Sequence, residues 1–160
     1  MSVARSVTRT RPKTVTADTI ATATLQVETA GVGFVDLTTE IRNFLQDVAA
    51  GDGLLTAFLR HTSASLTIQE NADPSVLDDL TTALDHLAPR DAGWSHDTEG
   101  ADDMPAHVKT MLTSTTLQVP VMNGKLALGT WQAIYLIEHR VRPHRREIVL
   151  QFAGATMRKR

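Results

Sequence analysis

Two imidazoles and four carboxylates fall within one run, His96-Asp97-Thr98-Glu99-Gly100-Ala101-Asp102-Asp103-Met104-Pro105-Ala106-His107. Carboxylates crowded this closely repel one another unless positive charge sits among them. Imidazole with carboxylate is also the usual ligand set for a divalent cation. Asp103 and His107 are four apart, so on a helix they share one face, about a turn from each other. His96 and Glu99 precede them on a stretch that can fold back over that face. The simpler role for Asp102 or Asp103 is to cap the helix that begins there.

Three further segments carry reactive or anion-binding side chains. Arg60-His61-Thr62-Ser63-Ala64-Ser65 offers hydroxyls to a phosphate, or is a polar turn whose hydroxyls satisfy its own backbone. Gln69-Glu70-Asn71-Ala72-Asp73 precedes a helix start. Asp73 caps that start, which leaves Glu70 as a candidate general base. Glu138-His139-Arg140-Val141-Arg142-Pro143-His144-Arg145-Arg146 is a basic run. It suits a phosphate or pyrophosphate group, or is a solvated loop. No G-x-S-x-G nucleophile elbow is present, so a Ser-His-Asp triad has no support.

The elements that must position these residues follow from periodicity. Leu25, Val27 and Thr29 alternate with polar residues in a strand within 14–29. Ile41, Phe44, Leu45 and Val48 recur at helical spacing, with Thr38 or Thr39 as cap and Gly51 as stop. Leu54 to Arg60 reads as a strand buried on both faces, and Leu66 and Ile68 belong to another. Asp73-Pro74 starts a helix striped by Val76, Leu77, Leu80, Leu84 and Leu87 and ended by Pro89. Residues 88–102 form a long polar loop, and a short helix follows with Val108, Met111 and Leu112 inward. Asn123-Gly124 marks a hairpin. The return strand runs from Leu126 to His139, with Gly129 as a bulge. Arg146 to Phe152 is a last strand. Strands outnumber helices and pair with near neighbours, which gives an α+β fold on an antiparallel sheet or sandwich.

Composition sets the frame. The chain has 160 residues, net charge -2 and 42% apolar residues, which suits one domain with one core. There are no cysteines, so thiolate catalysis, disulfides and Cys-zinc sites are excluded and a cytoplasmic location is the default. Aromatic residues make up 4%, too few stacking platforms for a nucleic-acid surface. No apolar run approaches the ~20 residues of a membrane span. Residues 1–13 are a basic N-terminal extension and 158–160 a basic tail flanking a domain at 14–157. An Arg- and Ser-containing, acid-poor start can mimic a transit peptide. The reading adopted is a frayed tail, and no secretory signal is expected.

Taken together, His61-Thr62-Ser63-Ala64-Ser65, Gln69 to Pro74, His96 to Gly100, Asp102 to His107, Gly129-Thr130-Trp131-Gln132 and Glu138-His139-Arg140 resemble the YjbQ family, over roughly residues 14 to 154. These proteins are often called secondary thiamine-phosphate synthases. One departure is Gln69, where the family's I-N-E-N form has Asn. The resemblance implies a jelly-roll-like antiparallel β-sandwich with two to three helices, assembled as a homotrimer. It implies a weak or promiscuous activity joining a pyrimidine methyl diphosphate to a thiazole phosphate with release of pyrophosphate. On that basis His96, His107 and His61 are expected to hold a divalent metal, zinc or magnesium. Glu70, Asp103, Glu138, His139 and Arg140 form the expected catalytic set. His61, Thr62, Ser63, Asn71, Trp131 and Gln132 are expected to contact a small phosphorylated molecule. The alternatives are a non-catalytic trimeric module holding a metal and a phosphate ligand, or a purely structural metal tying subunits together.

Overall fold

The computed structural model describes residues 5–157, so the basic tail at 158–160 lies outside the described residues. Residues 5–18 form no helix or strand, and Lys13 of this segment pairs with Asp52. Two antiparallel sheets follow. The larger has the order β1 (Thr19–Glu28), β8 (Arg145–Thr156), β3 (Ala50–Leu59), β5 (Thr116–Met122) and β6 (Lys125–Leu126). The smaller has the order β2 (Gly33–Asp36), β7 (Gln132–Glu138) and β4 (Ala64–Glu70). Leu55, Leu59, Val119, Ile148 and Phe152 of the first sheet meet Leu66, Ile134 and Leu136 of the second in one buried core. Helix α1 (Thr38–Asp47) closes that core with Ile41, Phe44 and Leu45. The α+β sandwich is therefore as expected from the sequence.

Several local expectations are corrected. Helix α1 is not capped by Thr38 or Thr39. Asp36 Oδ1 accepts the Thr38 N–H at 2.8 Å, and the Thr38 hydroxyl is spent on Ile134 N–H at 2.9 Å. Nor does Gly51 end the helix. Ala49 takes the left-handed turn at φ 50°, and Gly51 already belongs to β3. Strand β3 is not buried on both faces, since Phe58 is 47% exposed. The stretch from Leu126 to His139 is two strands, not one. Gln132 Oε1 accepts the Gly129 N–H at 2.8 Å in the turn between them. The Asn123-Gly124 hairpin is as expected, with φ 50° and 76° at its two central residues, the pattern of a type I′ turn.

The remaining helices depart most from pattern reading. Helix α2 (Pro74–Leu87) starts as expected, with Asp73 Oδ1 accepting Ser75 N–H at 2.9 Å. Yet none of its residues is fully buried, and its stripe lies half-covered with Leu87 exposed. Helix α3 (Asp103–Leu112) buries Asp103, Pro105, Ala106 and Lys109, while Met111 and Leu112 face solvent. The inward charges find partners: Lys109 pairs with Asp85 of α2, and Asp103 with groups described below. Thr110 donates to the Ala64 carbonyl at 3.2 Å and pins α3 along the start of β4.

Candidate functional site

Asp103 anchors the site. Its side chain is 2% exposed, at the N-terminal end of α3, where a carboxylate is favoured by the helix dipole. His96 Nε2 lies 2.8 Å from Asp103 Oδ2, and His107 Nε2 lies 3.2 Å from the same oxygen. The two imidazole centroids are 5.7 Å apart. Among the described residues this is the one place where three His, Asp or Glu ligand atoms converge, all within 4.8 Å. The pairing of Asp103 with His107 across one helical turn is as expected from their spacing.

The protonation pattern of His107 is informative. Its Nδ1 sits 2.8 Å from the Thr62 carbonyl oxygen, which only an N–H can satisfy. In the neutral ring Nε2 is then a bare lone pair, facing a carboxylate oxygen at 3.2 Å. Two acceptors do not sit at that distance without a positive charge between them. Either a second proton or a metal ion meets the requirement, and two imidazole nitrogens with one carboxylate oxygen fit a divalent cation. The Nδ1–H to carbonyl bond is the arrangement that orients metal-ligating histidines.

A clamp holds the acids in place. Arg140 donates from Nε to Asp102 Oδ2 at 3.1 Å, from one terminal nitrogen to Asp103 Oδ1, and from the other to the Glu99 carbonyl at 2.8 Å. Asp102 Oδ2 also accepts the Val141 N–H at 2.8 Å. Burial raises the Asp102 pKa, but the Val141 and Arg140 hydrogen bonds outweigh it and hold it below the usual carboxylate value. Burial likewise raises Asp103, and the His96 bond with the Arg140 and His107 charges brings it below that value. Neither acid makes the helix-capping bond that its position suggested. Gly100 adopts φ 111° beside Arg140, and Trp94 closes the loop by donating to the Pro89 carbonyl at 2.9 Å.

The structure sorts the other expected site residues into three groups. Thr62 joins the cluster through its carbonyl, and Arg140 joins as a clamp in which all three guanidinium nitrogens hold partners within the fold. A second group is committed to partners within the fold. Glu138 is fully buried and accepts Arg146 Nε at 2.7 Å, Thr29 Oγ1 at 2.9 Å and Arg140 N–H at 2.9 Å. Burial raises its pKa, and the Arg146 bonds more than reverse this. Ser63 Oγ accepts from Arg146 at 3.0 Å. His139 is 3% exposed with Nε2 at 2.8 Å from Ser65 Oγ. Burial, then the Lys109 charge, lowers its pKa to about 4. His61 spends Nε2 accepting the Glu147 N–H at 2.9 Å, outside the ligand cluster. Burial and the Arg146 charge lower its pKa.

The third group sits elsewhere. Glu70 and Gln132 face each other across β4 and β7, and Trp131 lines a cleft with them. The register places Ala64 opposite Glu138 at the cluster end and Glu70 opposite Gln132 at the other. Six residues of strand separate the ends, about 20 Å. Asn71 N–H donates to the Trp131 carbonyl at 3.0 Å on that far side. Sequence reasoning missed the Asp102–Arg140–Val141 clamp and the Thr62 carbonyl. The first had a signal, an acid pair with a distant arginine, but nothing in a linear chain shows a backbone carbonyl turned toward a ring.

Comparison with known proteins bears on the whole arrangement. Residues 23–155 match the model of the family described as UPF0047 protein YjbQ-like. The UPF0047 protein sll1880 of Synechocystis is 47% identical over 131 residues, covering 81% of this chain and 89% of its own. The UPF0047 protein YjbQ of Escherichia coli O157:H7 is 42% identical over 132 residues, covering 82% and 96%. A crystal structure of an uncharacterized conserved protein of the yjbq/upf0047 family from Clostridium acetobutylicum superposes with a TM-score of 0.76 at 34% identity. It covers 81% of this chain and 98% of that one.

Proposed function

The chain belongs to the YjbQ-like UPF0047 family, and on that premise we propose that it is a metal-assisted transferase acting on small phosphorylated molecules. The reaction class proposed joins a pyrimidine methyl diphosphate to a thiazole phosphate, weakly or promiscuously. A carbon–oxygen bond to the diphosphate breaks, pyrophosphate leaves with the electron pair, and a carbon–nitrogen bond forms. The observation that carries this reading is the convergence of His96, Asp103 and His107, whose ligand atoms lie within 4.8 Å of one another. His96, Asp103 and His107 would hold a divalent ion, which when bound supplies positive charge for the leaving pyrophosphate. Arg140 occupies Asp103 Oδ1, leaving Oδ2 as a single donor. Two nitrogens and one carboxylate oxygen favour zinc over magnesium, which asks for an oxygen shell.

The residues of the chain do the positioning. Arg140 and Val141 N–H fix the acids. Arg142 follows directly and, among the described residues, is the one arginine of the basic run with no carboxylate within ion-pair distance. It is the candidate for phosphate contact. The half-covered stripe of α2 supports the proposed homotrimer, since an apolar face of this kind gains by being buried against another copy. No described helix is long and apolar enough to cross a membrane, and the proposed location is the cytoplasm.

A second reading has its own observation. Glu138, His139 and Arg140 are all committed to internal partners, which removes three of the five expected catalytic side chains. That favours a non-catalytic module binding a metal and a phosphate ligand. Turnover of the two precursors separates the two. The transferase reading expects pyrophosphate release that is lost in His107→Ala. Activity surviving that change, or none in the metal-loaded wild type, contradicts it.

A further inference from the structure

A cleft of ≈ 390 Å³ opens at the far end of β4 and β7, lined by Ile68, Gln69, Glu70, Ala72, Trp131 and Gln132. Its size falls in the range of small-molecule pockets. Trp131 is 63% exposed, yet the turn that carries it is fixed by the Asn71 N–H on its carbonyl and by the Gln132–Gly129 bond. Among the described residues no ion pair involves Glu70, so the carboxylate that lines this cleft together with the indole has no cation partner. Gln69 and Gln132 each spend Oε1 on a backbone N–H, at 3.1 Å and 2.8 Å, so each has an NH2 left to donate.

We propose that this cleft is a second ligand site, separate from the His96–Asp103–His107 cluster, which takes a small planar aromatic cation. The π-face of an indole attracts a cation, most strongly when a carboxylate lies beside it. The shape is planar because an aromatic wall rewards stacking. The two carboxamide donors suit a hydrogen-bond acceptor on the rim of such a ring. The site does not depend on the transferase reading and needs no metal.

The chain has two tryptophans, Trp94 and Trp131. Their indole N–H resonances in a 15N-labelled sample give a reporter and a reference, because Trp94 is tied to Pro89 away from the cleft. The probe is the 1-methylnicotinamide cation, and its control is neutral nicotinamide, which differs in charge. The expected result is a saturable shift of the Trp131 resonance with the cation. Affinity should fall about tenfold for the neutral control, and by a similar factor for the cation in Glu70→Gln, in keeping with a cation–π and carboxylate contribution of this size. Binding should persist in the His96→Ala/His107→Ala protein. An unmoved Trp131 resonance, equal binding of the neutral control, unchanged binding in Glu70→Gln, or loss in the double histidine variant each overturns the proposal. The unmoved Trp94 resonance shows that a variant is folded.

Discussion

At the scale of single residues, charge is placed where it can be answered. Glu138 and Arg146 form a buried pair completed by Thr29 and Ser63. Removing one member leaves the other charged and unpaired, so Glu138→Ala should cost about 3–5 kcal/mol in a urea titration. Loss of precursor turnover in that variant would follow from unfolding and not from chemistry. Arg140 acts through Asp102 and Asp103. Arg140→Ala should weaken zinc binding about 10–100-fold, the usual cost of losing an outer partner, with little rescue by Lys, which lacks the planar fork. Calorimetric zinc titration of both variants checks this. The Asp103–His107 pair was legible in the sequence because four-residue spacing on a helix dictates a shared face. The buried roles of Glu138 and His139 were not, because strand β7 is covered on both sides and alternation cannot say which polar residue meets a partner.

Elements set the conditions under which these residues work. His139 lies between β4 and α3 and carries a pKa of about 4, against an ordinary value near 6.5. The unfolded chain therefore binds a proton that the native state refuses between those values. Stability from this group is fully present above about pH 6.5 and falls as pH drops toward 4, by about 3 kcal/mol across the window. His139→Asn should flatten the denaturation midpoint over that range, and an unchanged pH profile would remove His139 as its source. Helix α3 shows why hydrophobic pattern misled. Its inward face carries Asp103 and Lys109 because partners in the loop and in α2 wait there, leaving Met111 and Leu112 outside. Local chemistry did better: the Asp73-Pro74 start and the Asn123-Gly124 turn were both readable, since each depends only on adjacent residues.

For the whole molecule, strand pairing and the apolar core follow from alternation and turn signals, and family membership follows from ordered motifs spanning most of the chain. Separation of the two polar ends by the length of β4 and β7 was not legible, because motifs in sequence order say nothing of which end of a strand each occupies. The proposed homotrimer is tested on the half-covered stripe of α2: Leu84→Lys should give a smaller species than the wild type in light scattering, while an unaltered mass would exclude that face as the contact. The His96–Asp103–His107 metal site is decided by calorimetric titration of the chelator-stripped protein with zinc. The wild type should bind zinc tightly and stoichiometrically, and His96→Ala/His107→Ala should not, with its fold intact by circular dichroism. Equal zinc binding in the two proteins would contradict it.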